Sequence, residues 1–184
     1  MKELIADAKR RMNGALSALE EDFHTVRTGR ASASVLDKVV VDAYGSELPL
    51  NQVATINVPE ARLITVQPFD KTLTKSIEKA IQEAQLGLTP SNDGQMIRLP
   101  VPPLTEERRK EYVKLAHKMA EDARIAVRNV RRDVLNDFKR QEKDGDITRD
   151  DVARASDEVQ KLTDSEVKAI DDALARKEAE ILEV

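Results

Sequence analysis

The chain has 184 residues, 40% hydrophobic, 35% charged and 3% aromatic, with no cysteine, no tryptophan and a formal charge of −4. So few aromatics exclude a broad globular interior and favour aliphatic helix seams, while the lack of cysteine excludes disulfide frameworks and thiolate chemistry. The opening MKELIADAKRRM has no signal-peptide core and no stretch reaches the ~18 apolar residues of a membrane span, so the expectation is a soluble, cytoplasmic protein of one large or two small domains.

Residues 4–26 place Leu4, Ile5, Ala8, Met12, Ala15, Leu16, Leu19, Phe23 and Val26 at alternating spacings of three and four, which predicts an amphipathic helix with a narrow stripe. It should stop near RTGRASAS, with Gly29 as its C′ residue. The texture then changes. SVLDKVVVDAYGSELPL is rich in β-branched residues around a turn at Tyr44, Gly45 and Ser46. VATINV and RLITVQP read as two further strands, broken at Val58, Pro59 and Glu60. Leu73, Ile77, Ala80, Ile81 and Ala84 predict a short helix that Gly87 should end, and a turn in TPSNDGQ precedes a strand over 96–99. Thr105 is a natural N-cap for a helix over 105–143, roughly 58 Å at 1.5 Å per residue. Its seam reads Tyr112, Ala116, Met119, Ala123, Ala126, Val130, Val134 and Phe138. KDGDIT breaks it, and Thr148 with Asp151 three residues later resembles a capping box, with Asp in place of the usual Glu, opening the last helix.

Three long helices with one apolar stripe each are soluble only if they bury those stripes together. The fold class expected is therefore α+β in two domains: a long antiparallel three-helix bundle from 1–30 and 104–184, and an inserted β/α/β domain over 31–103. Two short connections join them, through Gly29, Arg30, Ala31 and Ser32 on one side and Val101, Pro102, Pro103 and Leu104 on the other. Paired connections of small residues and prolines predict a restrained hinge.

No enzyme signature is present. His24 and His117 stand alone on charged helices, no glycine-rich loop follows a strand, and SNDGQ lacks the acids of a calcium loop. Charge is more telling. Residues 105–145 carry 12 Lys and Arg against 9 Asp and Glu, whereas 146–184 carry 6 against 12. In ARIAVRNVRRD, Arg124, Arg128 and Arg131 fall within roughly a 60° arc beside the seam, and Arg132 lies just beyond it. Two readings stand. The stripe pairs with the acidic third helix, or it grips phosphate, for which the planar fork of arginine is suited. With few aromatics to stack on single strands, folded RNA or duplex is the better ligand. Arg27, Arg30 and Arg109 flank the domain junctions and face the same choice between surface charge and ligand.

RTGRAS, LGLTPSNDGQMIRLPVPPLTEERRK, AEDARIAVRNVRRD and SDEVQKLTD resemble the signatures of the bacterial ribosome recycling factor family, and the resemblance runs over essentially the whole chain. The one departure noted is GLTP, with Thr89 where the family commonly has asparagine. The resemblance implies an L-shaped monomer of bundle plus hinged domain. It implies action after termination: with elongation factor G and GTP, such a factor splits the ribosome and releases messenger RNA and deacylated transfer RNA. It implies no catalytic residue, metal or cofactor. The bundle would lie on ribosomal RNA of the large subunit, with Arg27, Arg109, Arg128 and Arg131 as contacts and Arg124 and Arg132 in the same motif. The small domain would meet elongation factor G. A helical adaptor or chaperone cofactor that binds proteins without RNA is the competing class; it accounts for the seams but not for the arginines.

Overall fold

The computed structural model describes residues 1–183. The chain is α+β and divides into two compact units, one from Met1–Thr28 with Glu106–Glu183, the other from Gly29–Thr105.

The first unit is three helices: α1 (Lys2–Thr25), α4 (Glu106–Lys143) and α5 (Arg149–Leu182). Ala8, Met12, Leu19 and Phe23 of α1 are buried against Ala116, Ala120, Ala123, Val127, Val130, Val134 and Phe138 of α4, and against Val159, Ile170 and Ile181 of α5. The α4 seam thus runs through Ala120 and Val127, with Ala126 only half-buried. A strict three-four stripe describes contact with one neighbour. Each helix here faces two, so its buried face is wider. Arg11 donates to Asp133 at 2.8 Å, which sets α1 against α4. Cross-links from α4 to α5 fall at Arg131–Gln160, Arg124–Asp171 and His117–Glu178, so the second pair runs antiparallel.

Helix ends depart from expectation where glycine was read as the stop. α1 ends at Thr25, and Val26 leaves the helix in extended geometry with its N–H on the Phe23 carbonyl at 3.1 Å. Burial of Val26 fixes that exit, so Gly29 lies beyond the C′ position. The start of α5 follows expectation. The Thr148 hydroxyl accepts from the Asp151 N–H at 3.2 Å, and the Asp151 carboxylate accepts from the Thr148 N–H at 3.1 Å.

The second unit holds β1 (Val40–Ala43), β2 (Ser46–Pro49), a single turn α2 (Leu50–Val53), β3 (Ala54–Glu60), β4 (Leu63–Pro68), α3 (Thr74–Glu83), β5 (Ser91–Asn92) and β6 (Ile97–Pro100). β1 and β2 form a hairpin; the others form an antiparallel sheet of order β3-β4-β6-β5. Tyr44 and Gly45 both take positive φ, 54° and 77°, the signature of a two-residue turn whose twist matches the strands. Ser46 is therefore already in β2. Pro59 does not break β3. The pairing shifts register between Asn57 and Glu60, and this irregularity accommodates the missing N–H. α3 stops at Glu83, and it is Gln85 at φ 49°, before Gly87, that turns left-handed. The core is Val41 and Ala43, Ile64 and Val66, Ile97 and Leu99 closed over by Ile77 and Ile81 of α3. Both connecting stretches are tied to one turn of this unit: the Ala31 N–H donates to the Ala61 carbonyl at 2.7 Å, and the Val101 N–H to the Arg62 carbonyl at 2.8 Å.

Two outcomes test this account. A fragment spanning 29–105 should melt cooperatively on its own, because its core shares no residue with the bundle core; a non-cooperative melt by circular dichroism would contradict it. Thr148→Ala should lower the stability of the whole chain by about 1 kcal/mol in denaturant titrations. The Asp151 carboxyl is held below its ordinary value by hydrogen bonds from the Thr148 hydroxyl and N–H, with a smaller part from Arg154. A depressed folded pKa gives stability that is complete above the unfolded value of about 3.9 and is lost as pH falls through the folded one. The stability gap between the parent and Asp151→Asn should accordingly close as the pH drops below about 3.9.

Candidate nucleic-acid interface

A 38-residue helix presents a fixed row of side chains, so the arginines of α4 keep their relative directions. What distinguishes them is how much of each guanidinium is already spent. Arg124 has all three guanidinium nitrogens engaged. Its Nε and Nη2 both donate to Asp171 Oδ1, at 2.9 and 2.6 Å, and its Nη1 to Glu121 Oε2 at 3.0 Å. Its side chain is only 18% exposed. Burial alone would disfavour its charge, but the hydrogen bonds to Asp171 and Glu121 outweigh that and raise its pKa further. Arg124 therefore pairs with the acidic helix, which was one of the two readings for the whole stripe.

The next arginines differ. Arg128 is exposed and reaches Glu121 only at 3.6 Å. Arg132 is exposed and makes no hydrogen bond or ion pair among the described residues. Arg131 is half-buried, and its Nη1 donates to Gln160 Oε1 at 2.6 Å while its Nε is shielded from water and has no acceptor. Gln160 is itself held from α5: its Nε2 donates to Asp164 Oδ1 at 2.9 Å. Between the two helices lies an open notch of about 290 Å³, with Arg128 and Arg131 on one wall and Gln160, Asp164 and Lys168 on the other.

Arg27 and Arg109 sit elsewhere. The Arg11–Asp133 bond and the approach of Gly29 to Leu104 run α1 antiparallel to α4, so Arg27 and Arg109 lie toward the same end of the bundle. Arg109 is about 33 Å along the helix from Arg131 at 1.5 Å per residue. Arg27 is exposed; Arg109 is half-buried, with an Nε that has no partner. The six sequence-selected arginines thus resolve into one structural member, Arg124, and two basic loci. Arg30 and the remaining connecting residues, from Gly29 to Ser32 and from Val101 to Leu104, belong to the second unit. His117, expected to stand alone, lies 3.1 Å from Glu178 of α5. Among the described residues no cluster of His, Asp and Glu could hold a metal ion, and no helix is long and apolar enough to cross a membrane.

A family model described as "Ribosome recycling factor" matches residues 19–182. The chain belongs to the ribosome recycling factor family. A ribosome-recycling factor of Rubrobacter xylanophilus is 53% identical over 180 residues, covering 98% of this chain and 97% of the relative. The solution structure of a ribosome recycling factor superposes with a TM-score of 0.72 at 39% identity, over 100% of this chain and 97% of the other. A second neighbour, at TM-score 0.62 and 42% identity over 99% of this chain and 98% of the other, comes from models of the T. thermophilus ribosome recycling factor and the E. coli elongation factor G bound to the E. coli post-termination complex.

The sequence singled out α4 and missed the α5 residues that hold its arginines: Gln160, Asp164 and Asp171. The available signal was the Gln160–Asp164 spacing of four, which puts both on one helix face. Knowing that this face meets Arg131 required the register of two antiparallel helices. The contrast between neighbours is testable by melting. Arg124→Ala should cost roughly 1–2 kcal/mol, between the values for an exposed and a buried pair. Arg132→Ala should stay within about 0.5 kcal/mol of the parent. Equal effects in denaturant titrations would contradict the assignment.

Proposed function

We propose that this chain binds the ribosome after termination and, with elongation factor G and GTP, splits the subunits so that messenger RNA and deacylated transfer RNA leave. It acts in the cytoplasm as a monomer, with no catalytic site or cofactor of its own. Family membership supports this reading, as does the neighbour that pairs the T. thermophilus factor with elongation factor G on a post-termination complex.

The bundle supplies the grip on ribosomal RNA of the large subunit. The observation that carries this is the unpaired guanidinium nitrogens of Arg128, Arg131 and Arg132 on one stretch of α4, beside an arginine each of whose three nitrogens is bonded to a carboxylate. An array kept only for stability would be neutralised along its length. Arg27 and Arg109 form the second contact locus, and Arg124 braces α4 on α5. A protein-binding adaptor would need an uncovered apolar seam, and these seams cover one another.

The small unit moves as a rigid body in this reading. Because Ala31 and Val101 are both bonded to the 61–62 turn, the pivots are narrower than the stretches that join the units: Gly29 and Arg30 on one side, Pro102, Pro103 and Leu104 on the other. Gly29 holds φ +75°, where side chains are strained, while the space for a Cβ is ordinary, 3.5 Å from the Leu104 side chain. Gly29→Val should slow subunit splitting and leave large-subunit binding near the parent; normal splitting rates would count against the hinge.

Sedimentation with large subunits at several salt concentrations tests the grip. Arg131→Ala should weaken binding by about 1.5–3 kcal/mol, the range for hydrogen bonds to charged groups. It should also flatten the salt dependence, since a phosphate contact is lost. Arg131→Lys should restore only part of the loss, lacking the fork. Unchanged affinity and slope in Arg131→Ala would return the stripe to a solvated face.

A further inference from the structure

The basic stripe is on α4, yet the side chain that fixes its central member is on α5. Gln160 accepts from Arg131 through one nitrogen, Nη1, at 2.6 Å. An arginine fork has two edges that can clamp a phosphate with two parallel hydrogen bonds, Nη1 with Nη2, and Nε with Nη2. Gln160 takes one of the two Nη1 N–H groups, so the other stays available beside Nη2. The second edge is closed to a ligand, because its Nε is shielded from water and has no acceptor.

Gln160 is the right residue type for this task. Its neutral oxygen holds the guanidinium without cancelling its charge, as Asp171 and Glu121 do for Arg124. Its amide could flip, but Asp164 forbids that: a carboxylate accepts only, so the Gln160 nitrogen must face Asp164 at 2.9 Å and the oxygen must face Arg131. The chain Asp164, Gln160, Arg131 therefore has one polarity throughout. It lines the notch between α4 and α5, whose far wall adds Lys168.

We propose that Gln160 and Asp164 are positioning residues for RNA: they hold Arg131 with its Nη2, and the Nη1 N–H that Gln160 leaves free, presented to a single phosphate at the α4–α5 notch. This rests on the RNA-binding reading given above, and it deepens that reading by naming the ligand group, the arginine edge and the two residues of the acidic helix that aim it. The acidic helix thereby serves the basic one without neutralising it.

A double-mutant cycle in the full chain tests this, with purified large ribosomal subunits as the probe and sedimentation as the readout. Gln160→Ala should weaken binding about three- to tenfold, a loss of orientation rather than of charge. The salt slope should stay at the parent's value, because the Arg131 phosphate contact is still made. In an Arg131→Ala background the same substitution should have no effect on affinity. Gln160→Glu should weaken binding more than Gln160→Ala, since a carboxylate would hold Arg131 as an ion pair and repel phosphate. Asp164→Ala, which removes the anchor of the Gln160 Nε2, should give a smaller loss in the same direction. Melts of each variant accompany the binding curves. Equal losses from Gln160→Ala in both backgrounds, a lowered salt slope, or an affinity loss matched by a collapsed melt would each overturn the positioning role. Failure of the underlying reading looks different: Arg131→Ala alone would then bind as the parent does.

Discussion

Everything in the first unit depends on a contact between segments that are remote in sequence. α1 ends at Thr25, and the helices that bury its Met12, Leu19 and Phe23 begin only at Glu106. Alone, an amphipathic helix of this length is marginal in water. It is stable because the chain comes back. The intervening unit has its own core, so the entropic cost of closing that long connection is met by a folded insert whose ends are brought near each other rather than by a floppy loop. The two bonds from Ala31 and Val101 to the 61–62 turn show how: the outgoing and returning segments are fastened to one point of the insert.

Much of this was legible in the residues, and the failures are informative. Long helices announced themselves through spacing, and the box at Thr148 and Asp151 announced the start of α5 because capping is local chemistry. The turn at Tyr44 and Gly45 was legible for the same reason. Helix ends were misplaced wherever glycine was taken as the stop, because Val26 leaves α1 to be buried and Gln85 accepts a left-handed conformation ahead of Gly87. β5 is two residues long and carries no periodicity to detect. At the candidate interface, arginine spacing singled out α4. It could not tell Arg124 from Arg131, since their difference lies in which α5 residue stands opposite, Asp171 or Gln160.

The acidity of the chain and its basic stripe are reconciled by that same opposition. α5 carries acids where α4 needs bracing and an amide where α4 needs its charge kept. Net charge is therefore a poor guide to ligand preference here, and the useful quantity is the number of guanidinium donors left unspent at each position. A globally acidic chain with a local cationic row also opposes indiscriminate adsorption to polyanions, because most of its surface repels them.

The side chains along the bundle seam have a graded size. On α1 they grow from Ala8 through Met12 and Leu19 to Phe23; on α4 they grow from Ala116, Ala120 and Ala123 through three valines to Phe138. Since the two helices run in opposite directions, bulky meets slight at both ends, and the rod keeps an even girth. A parallel arrangement would stack phenylalanine on phenylalanine at one end and leave alanines gaping at the other. Among the buried side chains the gradient thus acts as a polarity key, readable from volume alone, that favours the antiparallel direction.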